Sequence, residues 1–127
     1  MTKWTKVIYL AGAYRGESEY IVEENILLAR EWAIKLWYYG FIVFCPHLNT
    51  YRFGGAYGLP DSVWLQGDIE ILKRCDYLAV LPGLNTLCSS GTRKEIDTAI
   101  ELNIPIFYLG IDKDLVQLRD YYRVHED

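Results

Sequence analysis

The stretch Leu87-Cys88-Ser89-Ser90-Gly91-Thr92-Arg93-Lys94-Glu95-Ile96-Asp97-Thr98-Ala99 decides how this chain is read. It follows a strand-like apolar run, Tyr77-Leu78-Ala79-Val80-Leu81, and opens a helix predicted to end near Asn103, before Pro105. Small hydroxylated residues and a glycine therefore fall at a helix N-terminus. Backbone N–H groups are unpaired there and the helix dipole favours an anion. Ser89, Ser90 and Gly91 are candidate ligand contacts, and one turn further in stands a carboxylate, Glu95. Taken alone, the same residues also describe an ordinary N-cap followed by a solvated glutamate, so the surrounding chain has to decide.

Toward the N-terminus, Lys6-Val7-Ile8-Tyr9-Leu10-Ala11-Gly12 reads as a buried parallel strand. The loop Gly12-Ala13-Tyr14-Arg15-Gly16 follows. Its glycines permit close backbone approach to a ligand, and Arg15 can pair with an anion. The loop is neither a Walker A loop nor GxGxxG, and a plain strand-to-helix turn describes it equally well. Ser18 is placed to cap a helix from Glu19 to Tyr39, with Val22, Ile26, Ala29, Ala33 and Leu36 as its apolar stripe and Gly40 as its stop. Trp32, Trp37 and Tyr38 fall outside that stripe, which makes this helix the candidate partner surface.

Phe41-Ile42-Val43-Phe44 is a second strand, bounded by Cys45-Pro46. A long loop is expected from Pro46 to Pro60, leaving the carboxyl end of that strand, the edge where open α/β sheets bind ligands. His47 and Asn49 are its candidate substrate contacts, against the plainer reading of a structural histidine, and its Tyr and Phe residues can stack on a flat base. Asp61-Ser62 is read as the cap of a helix to about Arg74, with Trp64, Ile69 and Leu72 apolar and Asp68 within it. A strand from Asp76 to Leu81, the opening stretch, and a strand from Ile104 to Gly110 complete the order. A polar tail with a short helix around Leu115 to Tyr122 ends the chain.

Strands alternating with helices predict one α/β domain, a flavodoxin- or Rossmann-like three-layer sandwich with a four- to five-stranded parallel sheet. Loops after the first three strands then share one edge, which gathers Arg15, His47 and the Ser89–Glu95 stretch. The composition agrees: 127 residues, 51% hydrophobic and 24% charged, suit one domain with a real core. A net charge of −4 argues against a nucleic-acid polymer as partner, since such binding needs a basic face. Three cysteines, Cys45, Cys75 and Cys88, lack metal spacing and leave an odd thiol, so reduced cytoplasm is the expected compartment. No leader is recognised, and the apolar run from Leu36 to Cys45 is too short to span a bilayer. Aromatic content of 15%, with four Trp and eleven Tyr, exceeds what so small a domain can bury and predicts a homo-oligomer surface or a lined pocket.

These residues resemble the nucleoside 2-deoxyribosyltransferase family and its relatives, the 2′-deoxynucleoside 5′-phosphate N-hydrolases, from Ile8 to about Leu109. The resemblance rests on Tyr9-Leu10-Ala11-Gly12 with Arg15-Gly16, on Asp68 ahead of a strand starting at Asp76, and on Ser89-x-Gly91-x-x-x-Glu95 with Ala99. It implies Glu95 as the nucleophile on the anomeric carbon of deoxyribose, Asp68 as the acid that helps protonate the leaving base, and Tyr9 as the residue orienting the nucleophile. It further implies that Gly12, Arg15, Gly16 and Ser89 bind the 5′-phosphate; Tyr14, in the same loop, is a further candidate substrate contact. Transferases acting on free nucleosides carry aspartate at the Ser89 position, so Ser89 and Arg15 tilt the reading toward a phosphorylated substrate. Two features depart from the hydrolases: Ala13 stands where they have a phosphate-binding serine, and the loop from His47 to Leu59 does not match theirs. Family members also complete the site from a neighbouring subunit.

The chemistry implied is cleavage of an N-glycosidic bond. One carboxylate meets an oxocarbenium-like centre while an acid offsets charge on the departing base, with no metal or cofactor. Two rival readings stay open. Pro82-Gly83 with Gly91-Thr92-x-x-Glu95 is similar to the PGGxGTxxE motif of phosphoribohydrolases acting on ribotides, but the gap is too long and Leu84 replaces the second glycine. The other rival is a module that binds or senses a nucleotide without cleaving it.

Overall fold

The computed structural model describes residues 6–83, 86 and 89–110; the polar tail and Cys88 lie outside them. Four strands form one all-parallel sheet in the order β2-β1-β3-β4: β1 (Val7–Ala11), β2 (Ile42–Phe44), β3 (Tyr77–Val80) and β4 (Ile106–Tyr108). The α/β architecture is the one expected, with four strands among the described residues.

Helices cover both faces because the central strands alternate. Ile8 and Leu10 of β1, with Tyr77 and Ala79 of β3, pack on α1 (Glu19–Tyr38) through Ala29, Trp32, Ala33 and Leu36. Tyr9 and Ala11, with Leu78 and Val80, face the opposite layer, α3 (Asp61–Leu72) and α4 (Ser90–Glu101), meeting Leu72, Ile69, Ile96 and Ala99. A strand covered on both sides has no polar face, which is why β1 and β3 read as unbroken apolar runs.

Local chemistry sets the helix ends. Ser18 Oγ accepts from Ile21 N at 3.3 Å and starts α1. Gly40, at φ 98°, ends it, with Phe41 N donating to Leu36 O at 3.1 Å in a Schellman-type closure. Trp32, expected outside the stripe, is buried at 7% exposure; the apolar arc of α1 is wide enough to include it. Trp37 and Tyr38 are exposed.

Between β2 and α3 the expected loop is partly helical. A short α2 (Pro46–Asn49) begins with proline at its first position, and a 3-10 turn covers Ala56–Gly58. Asp61 does not cap α3: Pro60 is the N-cap residue, no side chain caps it, and Asp61 lies inside the helix. Among the described residues no helix is long and apolar enough to cross a membrane.

Candidate functional site

A cavity of about 690 Å³ opens at the carboxyl edge of the sheet, walled by the loop after β1, by α2, by the first turns of α3 and by the start of α4. The parallel topology brings these distant segments together. Gly12, Tyr14, Arg15, Gly16, His47, Asp68, Ser89, Ser90, Gly91 and Glu95 all lie on its wall. Tyr9 stands behind the wall and reaches it through its hydroxyl. Asn49 is placed elsewhere, on a smaller pocket beside Trp37 and Leu48.

The centre of the site is Tyr9, Glu95 and Asp68. Tyr9 is fully buried on the central strand, and the strand's alternation turns its ring toward α3 and α4. Its hydroxyl donates to Glu95 Oε2. Burial, reinforced by the nearby Glu95 carboxylate, pushes the Tyr9 phenol far above its ordinary value, so it stays a donor. Glu95 is raised to about 8, first by burial and also by the like charge of Asp68, with the Tyr9 hydrogen bond pulling the other way. Burial raises Asp68 to about 6. Two carboxyl groups thus face one cavity in surroundings that raise both above the ordinary carboxylate range, Glu95 past neutral pH and Asp68 to just below it.

The loop after β1 is braced rather than free. His47 Nε2 donates to Ala13 O at 2.7 Å, and Ala13 N donates toward Thr86 Oγ1 at 3.4 Å. Buried Asn25 of α1 donates from Nδ2 to Tyr14 O at 3.2 Å and to Arg15 O at 3.3 Å. Gly12 is required by the protein's own packing: a Cβ there would lie 2.4 Å from Leu81 Cδ1. Gly16 is similarly constrained by Ile21. Burial also lowers the His47 pKa, so its ring is neutral and structural in its Nε2 bond while still lining the cavity.

Ser89 is the N-cap of α4, its Oγ accepting from Thr92 N at 3.2 Å, which leaves its hydroxyl proton free to donate. Arg15 is exposed at the cavity rim and ion-paired with Asp61. The charged wall residues are Glu17, Asp61, Asp68 and Glu95 against Arg15. Among the described residues no three His, Cys, Asp or Glu side chains group to hold a metal ion.

Sequence reading missed four residues of this site. Thr86 and Asn25 hold the first loop, while Trp64 and Thr92 line the cavity. Asn25 carried a signal, as a polar residue beside the apolar stripe of α1. Trp64 and Thr92 carried one in spacing, four residues before Asp68 and three before Glu95, each on the same helical face as its carboxylate.

The profile of one family, described as a domain of unknown function (DUF7768), matches residues 6–109. No curated protein matches the chain. Among solved structures, the 2-deoxyribosyltransferase of the psychrotolerant bacterium Bacillus psychrosaccharolyticus superposes with a TM-score of 0.62 at 22% identity. The match covers 87% of this chain and 80% of that one. At that identity the likeness establishes a shared fold.

Proposed function

This chain belongs to the DUF7768 family, and we propose that it cleaves the N-glycosidic bond of a 2′-deoxynucleoside or its 5′-monophosphate, or transfers the sugar across it. The observation that carries the reading is the Tyr9–Glu95–Asp68 group on the wall of one cavity. Glu95, held by the Tyr9 hydroxyl, is the nucleophile toward the anomeric carbon. Asp68, raised to about 6, supplies a proton to the departing base. The fold shared with a 2-deoxyribosyltransferase supports the same substrate class.

The charge of the wall guides where the substrate lies. Acidic side chains surround the interior, so the neutral sugar and base belong inside. A 5′-phosphate belongs at the rim, where Ser89, the start of α4 and Arg15 meet it and Arg15 exchanges Asp61 for the phosphate. A second reading, a nucleotide-binding module without turnover, is favoured by one observation: Glu95 raised to about 8 is mostly neutral at pH 7 and then serves as a hydrogen-bonding group.

A chromatographic release assay separates the two. Deoxynucleosides, their monophosphates and the matching ribonucleotides are incubated with wild type and Glu95→Gln, with and without an added free base. Release of base by wild type, with a loss of about a thousandfold or more in Glu95→Gln and little loss of binding, is the expected result. A new nucleoside formed only with added base identifies transfer. Binding without release by wild type overturns the enzyme reading in favour of the module.

A further inference from the structure

Arg15 is fixed at its backbone and exposed at its head. Buried Asn25 donates from Nδ2 to Tyr14 O at 3.2 Å and to Arg15 O at 3.3 Å, and His47 Nε2 donates to Ala13 O at 2.7 Å. Both partners of the Asn25 amide are carbonyl acceptors, so its amino end must face them. The Arg15 side chain, by contrast, is 69% exposed and open to a ligand. Its guanidinium pairs with the carboxylate of Asp61, whose side chain is 41% exposed. The pair joins the loop after β1 to the first turn of α3, and both residues belong to the cavity wall.

Among the described residues of that wall Arg15 is the sole Lys or Arg, against Glu17, Asp61, Asp68 and Glu95. Its guanidinium is therefore the cation this wall offers an anionic ligand, and Asp61 already occupies it. A carboxylate and a phosphate present the same kind of anionic oxygens to the fork of a guanidinium, so the two compete for one group.

We propose that Asp61 is a specificity-determining residue: its carboxylate competes with the 5′-phosphate of a ligand for the Arg15 guanidinium and weights the site toward the unphosphorylated nucleoside. This rests on the N-glycosidase reading, with sugar and base inside the cavity and any phosphate at its rim. A phosphate must break the existing pair, and it then lies close to a displaced carboxylate of like charge. Exposed charge pairs are each worth a few-fold in an equilibrium, so the two effects together amount to about threefold to twentyfold against the monophosphate. A neutral nucleoside leaves the Arg15–Asp61 pair intact and meets neither cost.

The test is equilibrium titration of the full chain carrying Glu95→Gln, which removes turnover and leaves both members of the pair in place. The ligands are the common 2′-deoxynucleosides and their 5′-monophosphates, at low ionic strength because salt screens the effect. Adding Asp61→Asn is expected to raise the ratio of monophosphate to nucleoside affinity by about threefold or more. Asp61→Glu, which keeps the charge, is expected to hold the ratio within about twofold of the parent, and so is Asp61→Asn when Arg15→Ala is also present. A ratio unmoved by Asp61→Asn, or a gain that persists without Arg15, overturns the role of Asp61, while base release by wild type still upholds the N-glycosidase reading. An Arg15-dependent gain without base release by wild type upholds the role and places it in a nucleotide-binding module. Failure of the chain to bind either kind of ligand overturns the role and the nucleoside reading together.

Discussion

Replacing Asp68 by Asn tests whether this site is maintained against the stability of the fold. Asp68 is buried, and its carboxyl is raised from 3.8 to about 6 by that burial. The folded protein therefore holds this proton more tightly than the unfolded chain does. Stability from this group is full below pH ~4 and falls as pH rises, reaching its full deficit above pH ~6. A shift of about two units corresponds to ~3 kcal/mol, an upper value because the carboxyl still faces a cavity. Asn keeps the shape and removes the charge, so Asp68→Asn is expected to be more stable than wild type at pH 8, by up to ~3 kcal/mol. At pH 4 the two should be nearly equal. With an unfolding entropy of ~2 cal/mol/K per residue, the pH 8 difference amounts to a midpoint rise of up to about 10 °C. Thermal and urea unfolding at pH 4, 6 and 8 measure it. A variant no more stable than wild type at pH 8, with the same slope against pH, refutes the raised Asp68 and with it the acid assigned to the leaving base.

Tyr9→Phe removes the hydrogen bond that draws the Glu95 pKa down. It is expected to move the alkaline-side ionisation of kcat/KM upward from about 8 and to lower activity at pH 7 by about tenfold or more; an unchanged pH profile removes Tyr9 from its positioning role. Gly12→Ala sets a Cβ 2.4 Å from Leu81 Cδ1 and is expected to destabilise the protein by ~1–3 kcal/mol in urea unfolding, where a neutral result contradicts the packing described. Arg15→Ala is expected to weaken binding of a deoxynucleoside monophosphate about tenfold while sparing the deoxynucleoside. Equal losses for both ligands in calorimetry exclude the phosphate contact.

The parallel sheet and the alternation of strands with helices were legible because burial on both faces leaves β1 and β3 as apolar runs, and because alternating elements permit few topologies. Helix ends were legible where a local motif set them, as at Ser18, Gly40 and Ser89. Asp61 misled because an acidic residue looks the same as a cap or as a first-turn residue, and here it answers Arg15. Trp32 misled because a fixed stripe underestimates how much of a long helix a sheet covers. The gathering of Arg15, His47 and Ser89–Glu95 on one wall followed from topology alone. The bond from Tyr9 to Glu95 came from the resemblance, since no spacing rule relates residues 86 positions apart. Asn49 and His47 were treated alike from sequence, yet they sit on different pockets because α2 turns successive side chains in different directions. That Trp64 Nε1 and Thr92 Oγ1 are buried without partners is a property of the packed interior that no local pattern encodes.

The two carboxyl groups place a limit on how the site works. Under the N-glycosidase function proposed above, the nucleophile must be ionised and the acid protonated, yet Glu95 is raised to about 8 and Asp68 only to about 6. At pH 7 about a tenth of Glu95 is ionised and about a tenth of Asp68 protonated, so the competent pairing occupies about 1% of molecules before substrate binds. Such a site has a bell-shaped activity profile centred near pH 7, and its ceiling lies far below that of the same groups in the reverse order. Substrate changes the balance in the required direction. An anomeric carbon gaining positive charge beside Glu95 favours its carboxylate, and a ring packed over Asp68 excludes more water and favours its acid. The proton that Glu95 releases is then one that Asp68, in the same cavity, is placed to hold for the leaving base. The high affinity of Glu95 for its proton thus acts as a safeguard. On the proposed reading, without a substrate whose charge develops at the right place Glu95 stays neutral, and a nucleoside would be recognised before it is attacked.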